Sequence, residues 1–127
     1  MKDLHSDIGV VAAVVPATLT ATNTSAAIDL QGFDSATVII QTGAIGSSGN
    51  FTPSLTECAT SGGSYTEVVA ADLIGSFTDP LAASSLYKIG YRGNKRYIKT
   101  VLTLNSGTSI VAGVVVVKSH AANAPVA

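Results

Sequence analysis

The 127-residue sequence is poor in cysteine, aromatic residues and charge, and it has no tryptophan. Charged residues make up 12% of the chain, about half the share usual in a globular domain. The single cysteine, Cys58, excludes an intramolecular disulfide framework and is compatible with a reducing cytoplasm. Aromatic residues are only 6%, which disfavours a carbohydrate-binding module, because sugar faces stack on exposed rings.

The sequence also lacks motifs that would assemble a catalytic or metal site. The two histidines, His5 and His120, lie near the ends of the chain and do not have the spacing of metal ligands. The serines include no Gly-x-Ser-x-Gly elbow, and four aspartates sit beside predicted turns, where they commonly bond their own backbone. We therefore expect no enzymatic activity, no cofactor and no metal ion.

Residues 8–15 (IGVVAAVV) imitate the apolar region of a signal peptide. The seven residues before them carry two acids against one lysine, whereas a signal peptide begins with net positive charge. The run is also far too short to span a bilayer, and Pro16 ends it. We expect a protein made in the cytoplasm that has no membrane partner.

Alanine, valine, serine and threonine are abundant instead, and their pattern favours strands. Short runs recur every eight to twelve residues between turn signals, which is typical of a β-sandwich or jelly roll. We predict one all-β domain over 1–127 with about eight or nine short antiparallel strands, a core at about 8–118 and arms at 1–7 and 119–127. Strands are predicted at 8–15, 18–22, 26–30, 36–41, 51–59, 65–69 and 109–117, with two more in 84–104 and a helical turn at 70–75.

The stretch 84–104 carries the strongest local signal. Gly93-Asn94 is typical of a two-residue primed turn, and such a turn would make a hairpin in which Ile89 pairs with Ile98. Both isoleucines are then predicted core residues.

The net charge of −1 gives the chain no overall field for nucleic acid, but five of its seven basic residues fall in this stretch. The hairpin would place Lys88 opposite Lys99, which costs stability unless solvent or an acidic partner relieves the repulsion. Three interpretations of these basic residues remain. They protect an edge strand from sticking to other strands, or they dock to an acidic protein surface. Binding of nucleic acid is less favoured. The candidate partner-contact residues are Lys88, Arg92, Lys95, Arg96 and Lys99, with Pro125 and Val126 in the carboxy-terminal arm.

The last predicted strand, 109–117 (SIVAGVVVV), is apolar on both faces. Such a strand is expected between two neighbours, with both of its faces covered. Together with the low charge, it leaves more adhesive surface than a monomer usually has. We expect self-association into a homodimer or homotrimer.

Four segments resemble a known family: GFDSATVIIQTG at 32–43, SLTECATSGGSYTEVVAADLIG at 54–75, YKIGYRGNKRYIKTVL at 87–102 and NAPVA at 123–127. They are similar to small proteins that tailed phages and prophages encode in the head-structural region, near the major capsid protein. The resemblance extends over 32–127, is most specific in IGYRG-x-KRYI and the APVA ending, and is weak over 1–31.

This resemblance implies a jelly-roll or β-sandwich capsid decoration (cement) protein. It would be made in a bacterial host, bind the outer capsid surface of the virion and stabilise the shell. The implied partners are the major capsid protein and further copies of the chain. A head–tail connector or tail component on the same sandwich is the alternative. The arms would lie along the shell, since such segments become ordered when a partner binds.

Overall fold

Two antiparallel sheets form a sandwich in a computed structural model that describes residues 3–77 and 79–122. Besides two 3₁₀ turns, His5–Asp7 and Ala70–Asp72, these residues contain no helix, and neither turn is long or apolar enough to cross a membrane. The predicted all-β sandwich is confirmed. The strands are β1 Gly9–Leu19, β2 Asn23–Thr24, β3 Ile28–Asp29, β4 Phe33–Gly46, β5 Asn50–Cys58, β6 Thr66–Glu67, β7 Leu73–Ile74, β8 Leu86–Tyr91, β9 Tyr97–Ser106 and β10 Ser109–Ala121.

The strand order is that of a jelly roll. Sheet I has the order β1-β10-β4-β8-β7, and sheet II has the order β2-β9-β5-β6, with β3 also paired to β9. We count β2 and β3 as one interrupted strand and β7 as an addition at the edge. The sheets then contain strands 1-8-3-6 and 2-7-4-5 of an eight-stranded roll. Successive strands of the roll therefore alternate between the two sheets, except that the fourth and fifth, β5 and β6, are neighbours in sheet II.

Alternate residues of the facing strands fill the core between the sheets. In β5 every second residue from Phe51 to Glu57 is buried, as the alternation at 51–59 predicts. Ile89 and Ile98 are 2% and 0% exposed, which confirms both as core residues.

The predicted hairpin at 84–104 is wrong. β8 pairs with β4 in sheet I, and β9 pairs with β5 in sheet II, so Ile89 lies opposite Val38 and Ile98 opposite Glu57. The chain crosses between sheets here instead of folding back within one. The period-two pattern is the same in both cases, because a strand that crosses to the other sheet still alternates inward and outward side chains.

The connection between these strands, residues 92–96, is consequently not a primed turn. Such a turn requires positive φ at its central residues, and neither Gly93 nor Asn94 has it. Glycine is needed for a different reason, since a Cβ at position 93 would lie 2.6 Å from Cζ of Tyr91.

The predicted break between strands 8–15 and 18–22 is also wrong, because β1 continues through it. Val15 and Pro16 form a bulge opposite Gly113, and the ladder with β10 resumes after them. Pro16 is tolerated because β1 is an edge strand and a bulged residue need not donate to the ladder.

The last strand is longer than predicted. β10 lies between β1 and β4, as expected, but it continues past 117 to Ala121, which pairs with Phe33 at the start of β4. The strand therefore extends three residues into the segment assigned to the carboxy-terminal arm. Pro125 and Val126 lie outside the described residues.

Candidate interaction surfaces

Charged side chains gather at one end of the sandwich. We call this the charged end, and its residues are 29–34, 92–99 and 118–122. It collects Asp29, Lys95, Arg96 and Lys118 from connections and strand ends of both sheets. The opposite end has one charged residue in the connections that the structure describes there. Connections 20–22, 47–49 and 107–108 contain only serine, threonine, glycine and alanine. The fourth connection, 79–85, brings Asp79, whose carboxylate accepts a bond from the Thr52 hydroxyl at 2.7 Å.

The fold separates the basic residues that the hairpin would have brought together. Because Ile89 and Ile98 point into the core from different sheets, their neighbours Lys88 and Lys99 project from opposite outer faces of the sandwich. The predicted pairing of Lys88 with Lys99 is therefore wrong. Arg92, Lys95 and Arg96 stay together in the 92–96 connection.

Arg96 is held by an acidic residue of the same chain. Its Nε and Nη2 atoms donate to the two carboxylate oxygens of Asp29 at 2.9 and 2.8 Å, and its guanidinium lies 5.0 Å from the centre of the Tyr97 ring. The hydrogen bond from Arg96 lowers the pKa of Asp29 to about 2. Both side chains are about 45% exposed, so solvent weakens the pair.

Two further cations lie over aromatic rings. Nζ of Lys99 is 4.3 Å from the centre of the Tyr65 ring, and Nζ of Lys118 is 4.8 Å from that of Phe33. Lys118 also donates to the Asp29 carbonyl across the sandwich at 3.3 Å. Of the predicted contact residues, Lys99 is thus already engaged within the chain.

The other predicted contact residues are less constrained. Arg92 Nε makes only a long bond, 3.4 Å, to the Ala71 carbonyl. In residues 3–77 and 79–122, Lys88 and Lys95 form no ion pair. Lys95 therefore has the least constrained charge at the charged end.

A buried tyrosine anchors the 92–96 connection. The Tyr91 hydroxyl donates to Oε1 of the buried Glu57 at 3.3 Å and accepts a bond from the Lys95 amide at 3.2 Å. Burial raises the pKa of Tyr91 to about 12. Sequence reasoning missed this link between the sheets, although Glu57 falls on the Leu55 face of β5, where an apolar residue is expected.

A cleft of about 380 Å³ opens at the charged end between residues 30–36 and 91–96. Its charged lining residues are Asp34, Lys95 and Arg96. Across the described parts of the chain, no three metal-ligating side chains cluster together, there or elsewhere. The cleft offers mixed polar contacts to a partner surface.

A serine and a histidine meet beside this cleft. Ser35 Oγ lies 2.8 Å from Nδ1 of His120, which sits within β10 and not in an irregular arm as predicted. Activation of a serine needs a base that a third group orients. Among the described residues, no side chain bonds the other ring nitrogen, and the pair acts as a polar contact between β4 and β10.

The outer side of sheet I is apolar. Val10, Val15 and Leu86 are 61%, 72% and 68% exposed. We call this surface the outer apolar face, and it comprises Val10, Ala12, Val15, Pro16, Ile39, Ile74, Leu86, Val111, Val115 and Val117. The expectation that the last strand has both faces covered therefore fails for the described chain. Sheet II covers a single side of sheet I, and on the outer side of β10 Gly113 is buried, beneath Pro16 of the β1 bulge, while Val111, Val115 and Val117 are not.

Comparisons with known proteins found no matching sequence but did find a similar viral structure. No protein-family model matches the chain, and no curated protein sequence matches it. Among solved structures, a chain of the structure of infectious bursal disease virus, Gx strain, is similar with a TM-score of 0.47 and 13% identity. The match covers 93% of this chain and 33% of that one, so this chain spans about a third of the viral chain's length. The jelly-roll assignment therefore rests on this chain's own strand order.

Proposed function

We propose that this chain is a structural protein of a tailed-phage virion that binds the outside of the capsid and stabilises the shell. The observation that carries the proposal is the asymmetry between the two ends of the domain. The charged end holds the basic 92–96 connection, and it also holds Ala122, whose amide donates to the Gly32 carbonyl at 2.8 Å. The basic residues of this connection, which are predicted to contact a partner, and Ala122, the last residue before the predicted contacts Pro125 and Val126, are therefore at the same end.

The sequence resemblance over 32–127 supplies the identity of the partner. Jelly rolls occur in viral capsid proteins, lectins and cupins, so the fold by itself does not choose among these functions. A decoration protein needs a rigid domain with one oriented end and no reaction centre. A sandwich closed by the Tyr91–Glu57 bond at that end suits this role.

The surface aromatic residues argue against the lectin alternative. One face of each of the Tyr65, Tyr97 and Phe33 rings is covered by a cation of the same chain. A sugar would have to displace these cations to stack there.

Localisation on purified particles tests the proposal. The chain is tagged in the phage genome that encodes it, particles are banded by density, and the tag is located by immunogold microscopy. We expect label over the whole capsid surface. Label confined to the neck or tail would favour the head–tail or tail alternative, and absence from banded particles would overturn a virion role.

A further inference from the structure

The outer apolar face has a repeating layout that follows from the register of sheet I. One row across the sheet contains Ala12, Val115, Ile39 and Lys88, in the order β1, β10, β4, β8. The next row, farther from the charged end, contains Gly113, Gln41 and Leu86. Lys88 is the one charged side chain that the described residues place on this face.

The second of these rows pairs a projection with a hollow. Leu86 projects from β8, the strand next to β4, where it is paired with Gln41. On the other side of Gln41, next to Gly113 and Pro16, lies a hollow of about 270 Å³ whose walls include Ile39 and Val111. Neighbouring strands are about 4.8 Å apart, so the Leu86 side chain and the hollow lie on opposite sides of β4, each within about one strand spacing of it.

We propose that a second copy of this chain covers the outer apolar face, related by a two-fold axis that runs along β4. Rotation about that axis keeps each row in place and exchanges β8 with β10. Leu86 of each copy then enters the hollow of the other, and Ile39 lies opposite Ile39 of the second copy. The same patch serves on both subunits, as an isologous dimer requires.

The single charge on the face is compatible with this arrangement. Lys88 would lie over Val115 of the second copy, and the next residue of that row is Ala12 on the edge strand β1. The small Ala12 side chain leaves a path along which the lysine stem can pack while its ammonium reaches water beyond the edge. No acidic partner is needed.

The size of the face sets the expected strength of the dimer. Four strands about 4.8 Å apart and seven residues long, Thr37 to Gly43 on β4, span roughly 20 by 25 Å. Two such faces bury about 1,000 Å², which lies at the lower limit for a specific interface. The dimer should therefore dissociate on dilution. This inference does not depend on the proposed virion role.

Cross-linking tests the position of the axis. Ile39→Cys is made in a Cys58→Ser background and treated with a short bismaleimide, because sheets packed about 10 Å apart exceed the Cα separation of a disulfide. The matched control is Ser54→Cys, which points outward from β5 in sheet II. We expect a cross-linked dimer with Ile39→Cys and monomer with the control. Equal cross-linking of both variants would overturn the proposal.

Sedimentation equilibrium tests the contact itself. The wild type should show a concentration-dependent dimer, and Leu86→Lys should raise its dissociation constant by at least about tenfold, since the buried leucine is lost twice per dimer. The control is Val69→Lys, an apolar residue of similar exposure (61% against 68%) outside the outer apolar face, which should change nothing. A monomer at every concentration would overturn the proposal. If Leu86→Lys then also abolished capsid binding, the face would belong to the capsid contact and the virion role would stand.

Discussion

At the residue scale, the Tyr91 hydroxyl joins sheet I, sheet II and the 92–96 connection through one donated and one accepted bond. Tyr91→Phe leaves the buried Glu57 carboxylate and the Lys95 amide without this partner, so we expect a loss of about 1–3 kcal/mol in the free energy of unfolding. Urea denaturation at neutral pH measures it. Tyr65→Phe is the control, because its hydroxyl bonds the Ser61 carbonyl at an exposed site. Equal losses for the two variants would contradict the anchoring role.

The Asp29–Arg96 pair predicts a pH dependence with a definite sign. The folded-state pKa of Asp29, about 2, is below its ordinary value of 3.8. The ionised carboxylate therefore stabilises the fold above pH 3.8, and this contribution is lost as the pH falls toward 2. Because the pair is about half exposed, we expect it to amount to about 0–1 kcal/mol. The stability difference between wild type and Asp29→Asn should shrink as the pH falls toward 2 and vanish below it, and a difference that keeps its full size at pH 2 would point to another cause.

At the element scale, the two core isoleucines distinguish the hairpin from the observed crossing. Ile89→Ala and Ile98→Ala should each cost about 2–5 kcal/mol, since both side chains are buried. Ile98 pairs with residues of β3 and β5 in sheet II, whereas Ile89 pairs with Val38 in sheet I, so neither isoleucine is the cross-strand neighbour of the other. The two losses should therefore add within about 0.5 kcal/mol in a double-mutant cycle. A larger coupling energy would support direct cross-strand pairing.

Local pattern predicted the strands but not their partners. The alternation in β5 gave its bounds to within one residue, because one face is core and the other is solvent. Sheet membership depends on contacts distant in sequence, such as Val38 with Ile89, and no local signal encodes them. The predicted end of the first strand at Pro16 was wrong for a related reason. A proline ends a central strand but is tolerated at a bulge in an edge strand, and the local sequence does not show that β1 is an edge strand.

At the scale of the whole molecule, the fold divides the basic stretch 88–99, because its middle stays together in the 92–96 connection while its two outer lysines separate. Lys88 and Lys99 project from opposite faces, and Arg96 is paired with an acid from residue 29. Low overall charge was evident from composition, but the concentration of apolar surface on one side of sheet I was not. This surface forms because β1, β10, β4 and β8 are neighbours in one sheet, and their order could not be predicted from local sequence.

The separation of Lys88 from the charged end leaves fewer basic residues to bind a capsid by charge. Individual exposed ion pairs contribute about 0–1 kcal/mol and are screened by salt. Among the basic residues of the 92–96 connection, Arg96 is already paired with Asp29. Apolar surface such as that of Val126 gains about 25 cal/mol per Å² on burial, against an ordering cost of about 1–2 kcal/mol per residue. For one arm, the free energy gained by burial is then close to the cost of ordering, so attachment would have to come from many arms on symmetric copies binding together.

We therefore expect deletion of residues 123–127 to leave the domain folded but to reduce capsid occupancy. The deletion starts at 123 because Ala121 pairs with Phe33 and Ala122 bonds Gly32, so a larger truncation would damage the sandwich. Occupancy is measured by cosedimentation with capsids, and about 1 M salt, where the Debye length is about 3 Å, should have the smaller effect on the intact protein. If the truncated protein binds normally while salt or the Arg92→Gln/Lys95→Gln variant removes it, the arm is not the attachment. The 92–96 connection would then be the element that binds the shell.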